Sequence, residues 1–115
     1  MSMGLRIETE EIGIKVILRI DGRIDAASSS ILEKRIQQLI EERRIYLLLD
    51  FTNVDYLSSA GMRVLLASLK KIKALKGVFL LFSVNEDVDD IIHLAGFDKI
   101  LPIFSDEKDA LQHGS

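Results

Sequence analysis

Two short apolar runs constrain this chain more than any other feature. Ile45-Tyr46-Leu47-Leu48-Leu49 and Val78-Phe79-Leu80-Leu81-Phe82 show no apolar–polar alternation. A strand with one wet face alternates, whereas a strand covered on both faces does not. Both runs are therefore expected as buried strands of a sheet with helices packed on it. Between them, Met62, Leu65, Leu66, Leu69 and Ile72 recur at helical spacing within about Ser59 to Leu75. Strand, helix, strand in this order predicts a parallel pair with a right-handed crossover.

The remaining segments extend the pattern. Leu5 to Thr9 alternates, and Glu10-Glu11-Ile12-Gly13 reads as a turn. Ile14, Val16, Leu18 and Ile20 then share one side of a second strand, opposite Lys15 and Arg19, which predicts a β-hairpin. Asp21-Gly22-Arg23-Ile24-Asp25 breaks the alternation and is expected as a loop. Ser28, Ser29 or Ser30 can cap a helix whose apolar side carries Ile31, Leu32, Ile36, Leu39 and Ile40. Asp50 to Leu57 leads out of the central strand. Lys70, Lys71, Lys73 and Lys76 gather at the end of the next helix, where they complement its dipole, and Gly77 supplies a stop. A short helix follows over Asp87 to Ala95, with Val88, Ile91, Ile92 and Ala95 inward. Ile100 to Phe104 reads as an edge strand because of Pro102, and Asp106 to Gln112 as a last helix. The order β-β-α-β-α-β-α-β-α gives an α/β fold. Its sheet is mixed but mainly parallel, with an N-terminal hairpin. One domain is expected over residues 1–115, with its core at about 5–111 and short flexible tails.

Composition removes several function classes. The chain has no cysteine, so disulfides, thiolate catalysis and cysteine metal sites are excluded. Its net charge of −3 argues against direct nucleic-acid binding. No apolar run reaches 18 residues, and Met1-Ser2-Met3-Gly4 lacks the regions of a signal peptide, so the cytoplasm is the expected compartment. His113-Gly114-Ser115 is expected as a tail. His93 and His113 are the only histidines, which leaves no patterned ligand set for a metal. There is no phosphate-cradling loop and no nucleophile elbow. No catalytic residue, metal or cofactor is expected.

Two groups of polar residues have a structural and a functional reading. Asp21, Asp25, Asp50 and Asp55 fall near strand ends, where a parallel sheet binds ligands but where aspartate also serves turns and caps. Ser58 and Ser59 stand between a strand and a helix start. Serine there caps the helix, and an exposed serine there can be phosphorylated, gaining about −1.5 to −2 charges. Gly61 is expected to leave the first helical turn uncovered for another chain. Arg63 can face a partner, pair with a phosphate, or be an ordinary surface arginine.

Ile20-Asp21-Gly22-Arg23-Ile24-Asp25, Leu47-Leu48-Leu49-Asp50-Phe51 and Val54-Asp55-Tyr56-Leu57-Ser58-Ser59-Ala60-Gly61-Met62 together resemble the STAS domain of bacterial anti-sigma factor antagonists. The likeness extends from about Leu5 to Leu111 and includes Gly96-Phe97-Asp98-Lys99-Ile100. The resemblance implies partner switching by a protein that is not an enzyme. The unphosphorylated antagonist binds an anti-sigma factor that is also a serine protein kinase, and the sigma factor is freed. Phosphorylation of a serine at the start of the second helix ends binding, and a PP2C-type phosphatase reverses it. By position the phosphoacceptor is Ser59, with Ser58 as the alternative. The family usually has aspartate where Ser58 stands. Gly22 and Asp25 match a family glycine and aspartate after the second strand. The implied partner-binding set is Gly22, Asp25, Asp55, Ser58, Ser59, Gly61, Met62 and Arg63, in a monomer or a weak homodimer supported by Phe97 and Phe104. The alternative is an unphosphorylated STAS scaffold subunit of a transporter or stressosome-like complex.

Overall fold

The computed structural model describes residues 4–113; Met1 to Met3 and Gly114-Ser115, parts of the expected tails, lie outside the described residues. The elements are β1 (Leu5–Ile12), β2 (Lys15–Ile24), α1 (Ser29–Glu41), β3 (Tyr46–Leu57), α2 (Ser59–Ala74), β4 (Val78–Phe82), α3 (Glu86–Leu94), β5 (Ile103–Phe104) and α4 (Glu107–His113), with a 3-10 turn at Phe97–Lys99. Strands lie in chain order, β1-β2-β3-β4-β5. The β1–β2 pair is antiparallel and the other three pairs are parallel.

This order decides where the helices go. Successive right-handed crossovers stepping in one direction place α1, α2 and α3 on one face of the sheet. There Val16, Leu18, Leu47, Leu49, Phe79 and Leu81 pack with Leu32, Ile36, Leu65, Leu69, Ile72, Val88 and Ile92. A second cluster joins Ile17, Leu48, Leu80 and Phe82 to Ala110 and Leu111 of α4. Successive strand residues point to opposite faces, so the central strands are apolar at every position because both faces are covered. Among the described residues, no helix is long and apolar enough to cross a membrane.

Several local expectations are corrected. β1 runs on to Ile12, and the hairpin turns at Gly13 and Ile14; Ile14 is 66% exposed, while Ile17 is fully buried. Asp21 to Ile24 is no loop, because β2 continues to Ile24 through register shifts against β3. Gly22 is what the irregularity requires: its φ is 123°, and a Cβ there would lie 1.7 Å from the Gly4 carbonyl oxygen. β3 likewise continues to Leu57, so Asp50 lies within a strand and not at its end. Ile31 and Ala95 are exposed. Only Ile103–Phe104 forms the edge strand. His113 is no tail residue; it ends α4, with its ring 4.7 Å from that of Phe104.

The stop after α2 is also built differently. Lys76, not Gly77, takes the left-handed conformation, with φ 64°. The Gly77 and Lys76 N–H groups donate to the Ile72 and Lys73 carbonyls, a Schellman closure. Gly77 is needed for close approach, since a Cβ there would lie 2.2 Å from the Ile45 oxygen.

Beside α4, Arg19 binds three elements at once. It bonds Asp50 at 2.9 Å, Glu107 at 2.9 Å and Glu10 at 2.7 Å. These bonds, with Glu107 first, raise the guanidinium pKa despite its partial burial. Burial pushes the Asp50 carboxyl up, but the Thr52 hydroxyl, the Thr52 N–H and Arg19 together outweigh burial and hold it below its ordinary value. A depressed carboxylate stabilises the fold above its unfolded pKa of about 3.9, and that stability is lost as pH falls through the lower folded value. Asp50→Asn is therefore expected to cost about 1–3 kcal/mol at pH 7. Urea titrations at stepped pH should show the deficit shrinking below about pH 4.

Candidate functional site

The site begins where the β2–β3 ladder ends. Ile24 pairs with Leu57, and the Ile24 carbonyl accepts the Ser58 N–H at 2.8 Å. Ser58 is extended, with φ −86° and ψ 172°, and α2 starts at the next residue. The Ser58 Oγ accepts the Gly61 N–H at 3.1 Å, and the Ser58 carbonyl accepts the Met62 N–H at 2.9 Å. This is N-cap geometry, which serves a backbone donor that the helix leaves free. Aspartate caps as well as serine does, so Ser58 retains the cap at the position where an aspartate is expected.

Ser59 differs from its neighbour. It is exposed, and its hydroxyl has no hydrogen-bond partner among the described residues. The two serines thus divide into one that holds the turn and one that is available.

Gly61 is buried and faces inward. A Cβ there would meet Ile24 Cγ2 at 2.6 Å and Leu57 Cδ1 at 2.8 Å. The first turn of α2 is pressed onto the ends of β2 and β3. The expectation that Gly61 opens the turn to another chain is corrected: its missing side chain admits the protein's own strands.

Ser58, Ser59, Met62 and Arg63 line one groove of about 470 Å³. Ile91 and Ala95 of α3 and Phe97 of the following turn also line it, together with Tyr56, Leu57 and Leu66. Arg63 is the only charged side chain of this lining. Outside this lining, Leu94 (90% exposed) and Ile100 (55% exposed) are exposed apolar side chains of the same region of the chain. Asn85 fixes α3 in place. Its Oδ1 accepts the Val88 N–H at 2.9 Å, and its Nδ2 donates to the Val54 carbonyl at 2.7 Å. Gly96, at φ 80°, then turns the chain into Phe97.

The other expected residues lie elsewhere. Gly22 and Asp55 line a second depression with Arg6, Asp21 and Arg23. The two depressions touch through Arg23, whose guanidinium lies 4.5 Å from the centroid of the Tyr56 ring. Asp25 lines neither one. Its Oδ1 accepts the Ser28 N–H at 2.8 Å, and its own N–H donates to Ser28 Oγ at 2.9 Å, closing the turn into α1. The Ser28 N–H holds the Asp25 carboxyl below its usual range. Phe97 and Phe104 are half-buried in the groove lining and the second core cluster.

The wall from α3 and the Phe97 turn is what sequence reasoning missed. Of the two α3 residues in this wall that are expected inward, Ile91 does pack against the main core while also lining the groove, and Ala95 is exposed. The available signals were Asn85, a good cap residue just before α3, and Gly96 just after it. The geometry separates the serine turn residues in a way that urea denaturation can check. Ser58→Ala should cost about 1 kcal/mol through the lost cap. Ser59→Ala should stay within about 0.5 kcal/mol of the parent. Gly61→Ala should cost about 1–3 kcal/mol, because the space is already filled.

Comparison with known proteins agrees with this architecture. The STAS domain family model matches residues 6–110. The anti-sigma F factor antagonist of Paenibacillus polymyxa is 29% identical over 110 residues, covering 95% of this chain and 94% of that protein. The anti-sigma-F factor antagonist RsfB of Mycobacterium tuberculosis is 35% identical over 97 residues, covering 83% and 77%. Among solved structures, the anti-sigma factor antagonist SpoIIAA in its unphosphorylated form superposes with a TM-score of 0.80 at 16% identity, covering 94% of this chain and 95% of that one. The phosphorylated form of this Bacillus cell fate determinant gives 0.72 at 15% identity, covering 94% and 98%. At such identities the structures speak to the fold alone. The sheet order, the capped serine turn and the match over nearly the whole length lead to one conclusion: the chain belongs to the STAS domain family.

Proposed function

We propose that this chain is an anti-sigma factor antagonist switched by phosphorylation of Ser59. One observation carries the reading: an exposed, unbonded serine hydroxyl at the first position of α2, beside an apolar groove, while Ser58 is occupied as the cap. The names of the relatives from Paenibacillus polymyxa and Mycobacterium tuberculosis support the role.

The mechanism joins the circuit that the family resemblance implies to the geometry of the groove. Unmodified, the groove offers Leu66, Ile91 and Phe97, above a nearly buried Met62, to an anti-sigma factor, and the sigma factor is freed. That partner doubles as a serine protein kinase. The γ-phosphoryl group of ATP passes to Ser59 Oγ, ADP leaves, and the hydroxyl proton goes to a base of the kinase. The new charge of about −1.5 to −2 sits at the groove rim. It is compatible with its own helix N-terminus but must be desolvated or repelled in a packed complex. A PP2C-type phosphatase hydrolyses the phosphoester and restores binding. The protein acts in the cytoplasm as a substrate of these enzymes and is not itself a catalyst. No rearrangement of the sheet is required.

Incubation with the cognate kinase and ATP, followed by site mapping in a mass spectrometer, tests the reading. Phosphate is expected on Ser59, and Ser59→Ala should abolish it while leaving the anti-sigma factor bound. Ser59→Asp should weaken the complex; a loss of ~3 kcal/mol is more than a hundredfold in Kd. Phosphate on Ser58 would overturn the assignment to Ser59 and move the switch to its neighbour; none on either serine with an active kinase would overturn the switch and favour an unphosphorylated scaffold.

A further inference from the structure

We propose that Arg63 is the phosphate latch of the switch: once Ser59 is phosphorylated, the Arg63 guanidinium closes on it from one helical turn away. The proposal rests on Ser59 being the modified residue.

Three observations support it. Ser59 and Arg63 are four apart in α2, so their Cβ atoms lie on one face of the helix about 6 Å apart. Both line the same groove, in which Arg63 is the only charged side chain. Arg63 is exposed and has no ion-pair or hydrogen-bond partner among the described residues. Other arginines at the ends of this sheet are engaged. Arg19 holds three carboxylates, Arg44 holds Glu11, and Arg23 lies over Tyr56. Arg63 alone stands unpaired beside the serine, and no nearby acid in the groove competes for it.

Guanidinium matches a phosphate dianion in shape and charge, donating two parallel N–H bonds. The phosphate is then held by the protein's own helix. The same closure removes the groove's one positive charge from any carboxylate on a partner. Phosphorylation thus both adds negative charge and cancels the existing positive charge, reversing the sign of the rim.

The test uses the full chain with phosphoserine built in at position 59 during translation, so its outcome does not depend on a kinase. The second ionisation of the phosphate is followed by phosphorus NMR across pH 4 to 8. An unperturbed phosphoserine titrates near pH 6. A guanidinium pairs better with the dianion and lowers that midpoint. Arg63→Gln should raise the midpoint by about half a unit relative to the parent. Arg63→Lys should recover much of the difference. Lys73→Gln, the same charge change at the far end of α2, should leave the midpoint in place. The helix N-terminus is common to all four proteins and cancels. Without phosphate, Arg63→Gln should melt with the parent, since the side chain is exposed and unbonded. Equal midpoints for parent and Arg63→Gln would overturn the latch, as would an equal shift in Lys73→Gln. Neither result would alter where a kinase places phosphate, which site mapping decides separately.

Discussion

The parallel pairing of β2 with β3 is the constraint on which the site depends. It extends past the buried middle of the sheet to Ile24 and Leu57, and its last hydrogen bond is donated by Ser58. That bond sets where α2 begins. Gly61 then allows the first helical turn to press against Ile24 and Leu57. A side chain at 61 or an earlier end to β2 would move the helix start, and Ser59 with it. The serine is thus positioned by strand pairing and close packing, and no flexible loop intervenes.

Much of this architecture was legible in the residues. The unalternating runs at 45–49 and 78–82 announced a sheet covered on both faces, and the helical spacing of Met62, Leu65, Leu69 and Ile72 placed α2 closely. Reading failed where local pattern and tertiary pairing disagree. Asp21-Gly22-Arg23 looks like a loop because alternation stops, yet the ladder continues through an irregularity that tolerates polar residues. Asp50 to Leu57 is polar enough to suggest an exit from the sheet, but it finds β2 beside it. Ile14 is exposed because it falls in the hairpin turn, while Val16, Leu18 and Ile20 keep the expected face and Ile17 is buried on the other face under α4.

The serine turn was visible as a pair, and only coordinates could divide it. Both residues are serines, and both sit at a helix start. Their difference is a backbone conformation: Ser58 is extended, so its oxygen accepts the N–H of Gly61 three residues on, whereas Ser59 is already helical. The groove was less legible because one wall of it, Ile91, Ala95 and Phe97, comes from α3 and the turn after it, far along the chain from the serine turn. Ile91 and Ala95 read as core from helical spacing alone. Ile91 does pack on the core but also borders the cleft, and Ala95 is exposed beside it.

The Asn85 side chain has a consequence for how that cleft behaves. One amide group both starts α3 and ties it to the backbone of β3 at Val54, four residues before the serine cap. The two sides of the cleft are therefore fastened to the same strand. Moving the start of α3 away from β3 would break that bond, so the groove wall and the serine turn share one anchor.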